Sequence, residues 1–265
     1  PPRSTQGVSS AASDVYKRQK LMETCLMKHI SMLPNQKHPL HFHRRKEETF
    51  QVLSGKLISY LNNKKYSFSI ISNYNGEIMD SIDKYLEESA QVAHEQKQLK
   101  SVFMIIANEV LKAVQEGGTV FFCGNGGSAA DSQHLAAELI GRFKKNRDPI
   151  SSIALTTDTS IITSTANDLS YSEIFSRQLL GIGKDKDILI AISTSGESKS
   201  VLKAVETANS IGMLTVGFTG KETNSLSNIT KYSLHIPSSE TGIIQQGHIT
   251  FGQMLCLYLE ENIFN

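Results

Sequence analysis

The sequence predicts an α/β protein, a parallel β-sheet covered by helices on both faces. Five apolar runs, TVFFC (119–123), SIALTT (152–157), DILIAIS (187–193), MLTVGFT (213–219) and YSLHI (232–236), are separated by stretches of helical periodicity. Each run is near-continuous rather than alternating, the pattern of strands buried on both sides. Glycine- and serine-rich segments follow the first and third runs, at the carboxyl edge where open parallel sheets bind ligands.

At 265 residues and 39% hydrophobic, the chain has room for one domain of ordinary size and a smaller appendage. Residues 1–19 are polar and aperiodic and read as a non-native or disordered leader. From 20 to 72 the texture is β-like: FQVLSG, KLISYL, a polar NNKK turn and YSFSII suggest a short meander. Helical spacing starts near Gly76 with Ile78, Ile82, Tyr85 and Leu86. It continues through Val92, Leu99, Phe103, Ile106 and Val110, and ends at Gly117-Gly118. A long helix is expected over about 240–262.

A net charge of +1 with acids and bases interspersed gives no basic footprint for nucleic acid. No apolar run reaches the roughly 18 residues of a membrane span. Cys25, Cys123 and Cys256 form no C-x-x-C pair and suggest neither a disulfide framework nor a zinc ribbon. A cytoplasmic protein without membrane or nucleic-acid partners is expected.

The strongest signal is CGNGGSAADSQHLAAEL, 123–139. A buried strand ends at Cys123, glycines turn the chain, and a helix opens at Ser128, so free backbone N–H groups and the helix dipole favour an anion there. A lone turn of this kind is more often only a turn, and it is neither a Walker A loop nor a full G-x-G-x-x-G fingerprint. A second junction shifts the balance. DILIAIS runs into Ser193-Thr194-Ser195-Gly196-Glu197-Ser198 and then a helix. N-capping needs only one of those serines. So many hydroxyls without a lysine suit a phosphate held by neutral hydrogen bonds.

CGNGGS, ISTSGES, Asn167-Asp168 followed by EIFSRQ, and IIQQGH in the last helix occur together in order, and over 76–265 the chain resembles the phosphoheptose isomerases of the sugar-isomerase (SIS) superfamily. The resemblance implies a flavodoxin-like sheet, a homotetramer with active sites at subunit interfaces, and a phosphorylated sugar as substrate. It implies that Ser193, Thr194, Ser195 and Ser198 hold the phosphate. Asn125, Gly126, Ser128, Asn167 and Asp168 would meet the sugar chain. Asp168 could instead cap a helix at SYSEIF, and Arg142, which matches a family arginine, could meet the phosphate, steady Glu138 or have no role.

His134 and Glu138 are spaced i, i+4 and share one helix face. Aldose–ketose isomerisation moves a proton between adjacent carbons through an enediol, and Glu138 is the expected base. Taken singly, a helix Glu is usually solvated and a lone His structural; the match to the family after GNGGS reverses that. The resemblance further implies a zinc site from His134, Glu138 and Gln245, whose fourth member, a His in the family, is Gln253 here. A Gln cannot shuttle a proton and binds zinc poorly. Gly242 stands where some members carry a carboxylate, and His248 is no obvious replacement.

His41-x-His43-x4-Glu48-x6-Gly55 resembles the first cupin motif, with Asn35 in place of the leading glycine. Residues 20–72 are about half of what such a barrel needs, so a cupin-type metal enzyme fails on length. The expected activity is isomerisation of sedoheptulose 7-phosphate to D-glycero-D-manno-heptose 7-phosphate for lipopolysaccharide or capsule heptose. The alternative is a non-catalytic SIS module that binds a sugar phosphate or a protein, like relatives that associate with the replication initiator. A chain lacking residues 1–72 should stay folded and tetrameric by size-exclusion light scattering; an insoluble or monomeric product would contradict the 72/76 boundary.

Overall fold

The computed structural model describes residues 68–264. Two compact units, 1–71 and 72–265, divide the chain. The leader and the cupin-like motif, with His41, His43 and Glu48, lie outside the described residues.

Helix α1 (Phe68–Glu95) passes through a 3₁₀ turn (Gln96–Leu99) into α2 (Lys100–Gln115). The helical period was expected from Gly76, but α1 starts at Phe68, so residues 68–72 of the β-like stretch are helical. An apolar run as short as YSFSII does not by itself distinguish strand from helix. There follow β1 (Val120–Gly124), α3 (Gly127–Ile140), β2 (Ser152–Ala154), α4 (Thr159–Asp168), a 3₁₀ turn (Tyr171–Glu173) and α5 (Ser176–Ile182). The chain closes with β3 (Ile188–Ile192), α6 (Lys199–Ile211), β4 (Leu214–Thr219), α7 (Ser225–Ile229), β5 (Tyr232–His235) and α8 (Thr241–Ile263). All five strands expected after Gly118 are present, while the meander expected over 20–72 lies outside the described residues up to Phe68 and is helical from there.

All four strand pairings are parallel and the order is β2-β1-β3-β4-β5. This is the flavodoxin-like arrangement, whose switch point lies between the first and third strands. Alternate residues of the central strands β1 and β3 enter two separate cores. Val120, Phe122, Ile188, Ile190 and Ile192 pack with Phe103 and Ile106 of α2, Leu135 and Leu139 of α3, and Phe251 and Leu255 of α8. Phe121, Cys123, Leu189 and Ala191 face Phe175, Leu179, Val201, Ala204 and Val205 on the other side. The continuous apolar runs of β1 and β3 are thus explained, since both faces of these central strands are dry, whereas the edge strands β2 and β5 are partly exposed. Cys123 and Cys256 are free, and burial pushes both thiols up to about 12.

One buried ion pair ties α8 to the end of α3. The Arg147 and Glu260 side chains are 1% and 0% exposed, with Nε and Oε2 3.0 Å apart. Glu260 also accepts from the backbone N–H groups of Phe143, Lys144 and Lys145. Arg147 donates to the carbonyls of Glu138 and Leu139. The guanidinium therefore satisfies two of the carbonyls that a helix C-terminus leaves without partners. Burial alone would raise the Glu260 pKa, but the three N–H groups and Arg147 outweigh it and hold it below the usual glutamate value. Its stabilisation is present above the unfolded-state pKa and is lost as pH falls through the folded value.

His248 is a second buried polar group. It is fully buried in α8, its Nε2 3.2 Å from the Thr219 carbonyl at the end of β4, and its ring lies beside Phe218. Burial lowers its pKa to about 4, against a small opposing effect of the Thr219 hydrogen bond. The neutral imidazole donates from Nε2, which leaves Nδ1 without a partner.

Glu260→Ala should cost about 3–5 kcal/mol in urea unfolding, because it strands a buried arginine; a loss near the ~1 kcal/mol of a surface pair would contradict that burial. Unfolded His248 takes up a proton below pH 6.5 and folded His248 only near 4. Stability should therefore fall as pH drops through this window, by up to about 3 kcal/mol from this residue. His248→Gln, which keeps an N–H donor, should flatten that slope in urea midpoints measured from pH 7 to 4, and an unchanged slope would assign the loss to other groups.

Candidate active site

Gly124 of β1 pairs with Ile192 of β3, so the loops leaving these strands, 125–126 and 193–198, start side by side at the switch point. Gly126 (φ +58°) and Gly196 (φ +69°) adopt backbone conformations open mainly to glycine. Gly127, the first residue of α3, leaves room for the Gln245 side chain of α8, which a Cβ there would strike at 2.5 Å. The α3 N-terminus, the hydroxyl-rich loop and the start of α8 thus meet at one edge of the sheet, and free N–H groups at such a helix start favour an anion.

Within the 193–198 loop, Ser193 is buried and its hydroxyl accepts from Gly196 N–H, while Ser195 accepts from Glu197 N–H. Glu197 accepts from the backbone and hydroxyl of Ser225, the backbone bond being the larger cause that holds its carboxyl below the usual range. That contact fastens the loop to the start of α7. Ser198 occupies the N-cap position of α6 but makes no side-chain capping bond. Its hydroxyl instead accepts from Asn125 Nδ2 at 2.8 Å, beside the buried Ser200, which accepts from the same amide at 2.9 Å.

His134 and Glu138 meet as their spacing requires, with Nε2 and Oε1 3.0 Å apart and the side chains 46% and 25% exposed. The amide nitrogen of Gln253 lies 3.5 Å from the same His134 Nε2. One ring nitrogen cannot donate to a carboxylate and accept from an amide at once. The closer contact takes the Nε2 N–H, and the Gln253 amide only lies beside it.

Other expected site residues fall elsewhere. Asp168 is the last residue of α4, exposed, and accepts from Asn167 Nδ2 at 2.7 Å. It caps no helix, because the following 3₁₀ turn is entered through Ser170. Arg142 is exposed in the loop after α3, and among the described residues it has no ion-pair partner. Ser128 is buried in the first turn of α3, where its carbonyl accepts from the Ser132 hydroxyl. Near Gly242 the space is taken: a Cβ there would lie 2.5 Å from the Tyr85 hydroxyl of α1.

Two residues were missed. Asp131 precedes His134 by three positions, so the helical face that flagged His134 and Glu138 contains it as well. One of its carboxylate oxygens is buried without a partner, and burial raises its pKa to about 6 against the opposing charge of His134. Tyr171 reaches from the 3₁₀ turn to donate to Asn125 Oδ1 at 2.8 Å. No local pattern signals a contact 46 residues apart.

A catalytic zinc wants three side-chain ligands from histidine, cysteine and carboxylate groups. Among the described residues no three such groups lie together; beside the His134–Glu138 pair stands the Gln253 amide, while Gln245 lies against Gly127 at the start of α3. The donor set of this subunit does not fit zinc.

Comparison with known proteins agrees with the geometry. Residues 84–220 match the SIS domain family. The chain is 43% identical over 190 residues to a phosphoheptose isomerase of Thermodesulfovibrio yellowstonii, covering 71% of this chain and 94% of the relative. It is 41% identical over 187 residues to that of Aquifex aeolicus, covering 70% and 98%. A solved phosphoheptose isomerase from Francisella tularensis superposes with a TM-score of 0.67 at 33% identity, over 69% of this chain and 98% of that one. Another, from Neisseria gonorrhoeae, gives 0.66 at 32% identity, over 69% and 99%. The chain belongs to the phosphoheptose isomerase family of SIS-domain proteins.

Proposed function

We propose that the protein is an aldose–ketose isomerase that converts sedoheptulose 7-phosphate to D-glycero-D-manno-heptose 7-phosphate, feeding heptose into lipopolysaccharide or capsule. The observation that carries this reading is the His134–Glu138 pair on the helix whose N-terminus borders the hydroxyl-rich loop. Glu138 lies 11 residues along α3 from Gly127, about 16 Å of helix at 1.5 Å per residue and longer than an extended seven-carbon sugar phosphate, which favours a phosphate cradle and a base contributed by different subunits to one site.

The phosphate is held by backbone N–H groups and by the hydroxyls of Ser193, Thr194, Ser195 and Ser198, with Asn125, Gly126, Ser128, Asn167 and Asp168 along the sugar. Glu138 removes the proton from C1 of the ketose and returns it at C2 of the enediol. Once Glu138 has taken the substrate proton, His134 Nε2 is released from it to donate to the developing oxyanion, and Gln245, set against Gly127 at the start of α3, orients the sugar from that end. The proton that moves between the two oxygens needs a second group, because Gln253 cannot carry it. Asp131 has the raised pKa to exchange a proton near neutrality, and its charge is coupled to His134.

Zinc, implied by the family likeness, would find only His134 and Glu138 as strong ligands in this subunit, so turnover is expected without it. A homotetramer with sites at subunit interfaces is supported by the exposed apolar residues Met79, Ile82 and Leu86 on α1 and Met254 on α8, and Arg142 is free to meet a phosphate there. The chain has no helix among the described residues long and apolar enough to cross a membrane, and a reducing cytoplasm suits its free thiols. A second reading, a SIS module that binds a sugar phosphate without turnover, is favoured by Gln253 alone.

Proton NMR of sedoheptulose 7-phosphate in deuterated water tests the first reading. The protein should produce an aldose with deuterium at C2, undiminished by a chelator, and Glu138→Gln should lower the rate by at least about 100-fold, the usual scale for removing a general base. Binding without exchange, with or without added zinc, would favour the second reading.

A further inference from the structure

We propose that Tyr171 is a positioning residue for the phosphate end of the substrate, acting through Asn125 on the hydroxyls of Ser198 and Ser200. The inference rests on the reading of 193–198 as the phosphate loop.

The amide of Asn125 is held on both sides within the protein, which leaves one lone pair of its oxygen for the sugar. Its oxygen accepts from the Tyr171 hydroxyl at 2.8 Å, and its nitrogen donates to Ser198 at 2.8 Å and Ser200 at 2.9 Å. The amide thereby joins three segments that are distant in sequence: the β1–α3 loop, the 3₁₀ turn after α4, and the start of α6. Each bond has a direction. A serine oxygen that accepts from an amide N–H keeps its own hydrogen to donate elsewhere. Ser200 is 2% exposed and its oxygen is 3.4 Å from that of Ser198. Ser198 can therefore receive from both Asn125 and Ser200, and its own hydrogen is then turned outward, toward the loop. Ser198 makes no side-chain capping bond at the start of α6, so no competing bond holds that hydrogen back.

Turning the Asn125 amide by 180° would reverse this order. Its oxygen would draw the hydrogens of Ser198 and Ser200 inward, and their lone pairs would face the phosphate. A phenol is a better donor than acceptor, so the Tyr171 hydroxyl favours the orientation in which the amide oxygen faces it. The orientation is thus set before the ligand arrives, which removes a reorganisation cost from binding. Tyr171 is 57% exposed, so its hydroxyl supports no core. Its effect falls on affinity for the phosphate group, with little on proton transfer at the far end of the sugar.

The test uses the full chain and two readouts, calorimetric binding of inorganic phosphate and steady-state isomerisation. Tyr171→Phe should raise the phosphate Kd and the substrate KM together by about 5–10-fold, the effect of one neutral hydrogen bond. The kcat should stay within about twofold and Tm should not change. In an Asn125→Ala background the same substitution should have no further effect on phosphate Kd, since the relay is already cut. Unchanged Kd and KM in Tyr171→Phe would overturn the proposal, as would a fall in kcat alone or a full effect that persists without Asn125. Failure of wild-type protein to bind phosphate would overturn it too. Phosphate binding by wild-type protein that does not isomerise would refute the isomerase assignment alone, and the Kd comparison would still decide the role of Tyr171.

Discussion

The candidate site depends on one constraint of the sheet, the placing of β1 directly against β3. Because β2 lies on the far side of β1 and β4 on the far side of β3, the connections leaving these two neighbours run in opposite directions. The crevice between them is where two helix starts can face one ligand. With Gly124 level with Ile192, Asn125 stands within reach of Ser198 although 73 residues separate them. Neither loop would make an adequate phosphate site alone. One offers glycines and helix N–H groups, the other hydroxyls, and the parallel pairing brings them together.

The opposite end of α3 has its own support. A helix with a proposed base near its last turn must keep that turn from fraying, and Glu138 lies only two residues from the end at Ile140. Arg147 holds the carbonyls of Glu138 and Leu139, and Glu260 in turn neutralises Arg147 and gathers the N–H groups of the intervening loop. A buried ion pair is rarely a net gain over apolar packing. Here it fixes the backbone next to the proposed base and leaves the Glu138 side chain free to face its substrate.

Much of this was legible in the sequence, for physical reasons that differ by element. The central strands β1, β3 and β4 were plain because burial on two faces removes polar residues from the run, and the partly exposed β2 and β5 were legible by their place between helical stretches. His134 and Glu138 were legible because a helix repeats its face every three or four residues, and Asp131 should have been read by the same rule. The start of α1 was not, since YSFSII fits a strand and a helix equally at that length. Glu260 and Tyr171 were invisible for another reason. Each owes its role to partners that only the tertiary fold supplies, and a glutamate late in a helix or an aromatic in a turn has no distinctive local setting. The sequence reading that passed over His248 as a ligand agrees with its place in the core, though nothing local shows that it donates to β4.

The Glu260 contacts span 113 to 117 residues, and α8 follows all five strands in the chain. Contacts this distant close late when loop entropy governs the order of folding. On the ribosome, the sheet and the phosphate junction can therefore assemble while the 143–147 loop still waits for its carboxylate. A nascent chain would assemble the proposed phosphate cradle before the backbone beside the proposed base is fixed.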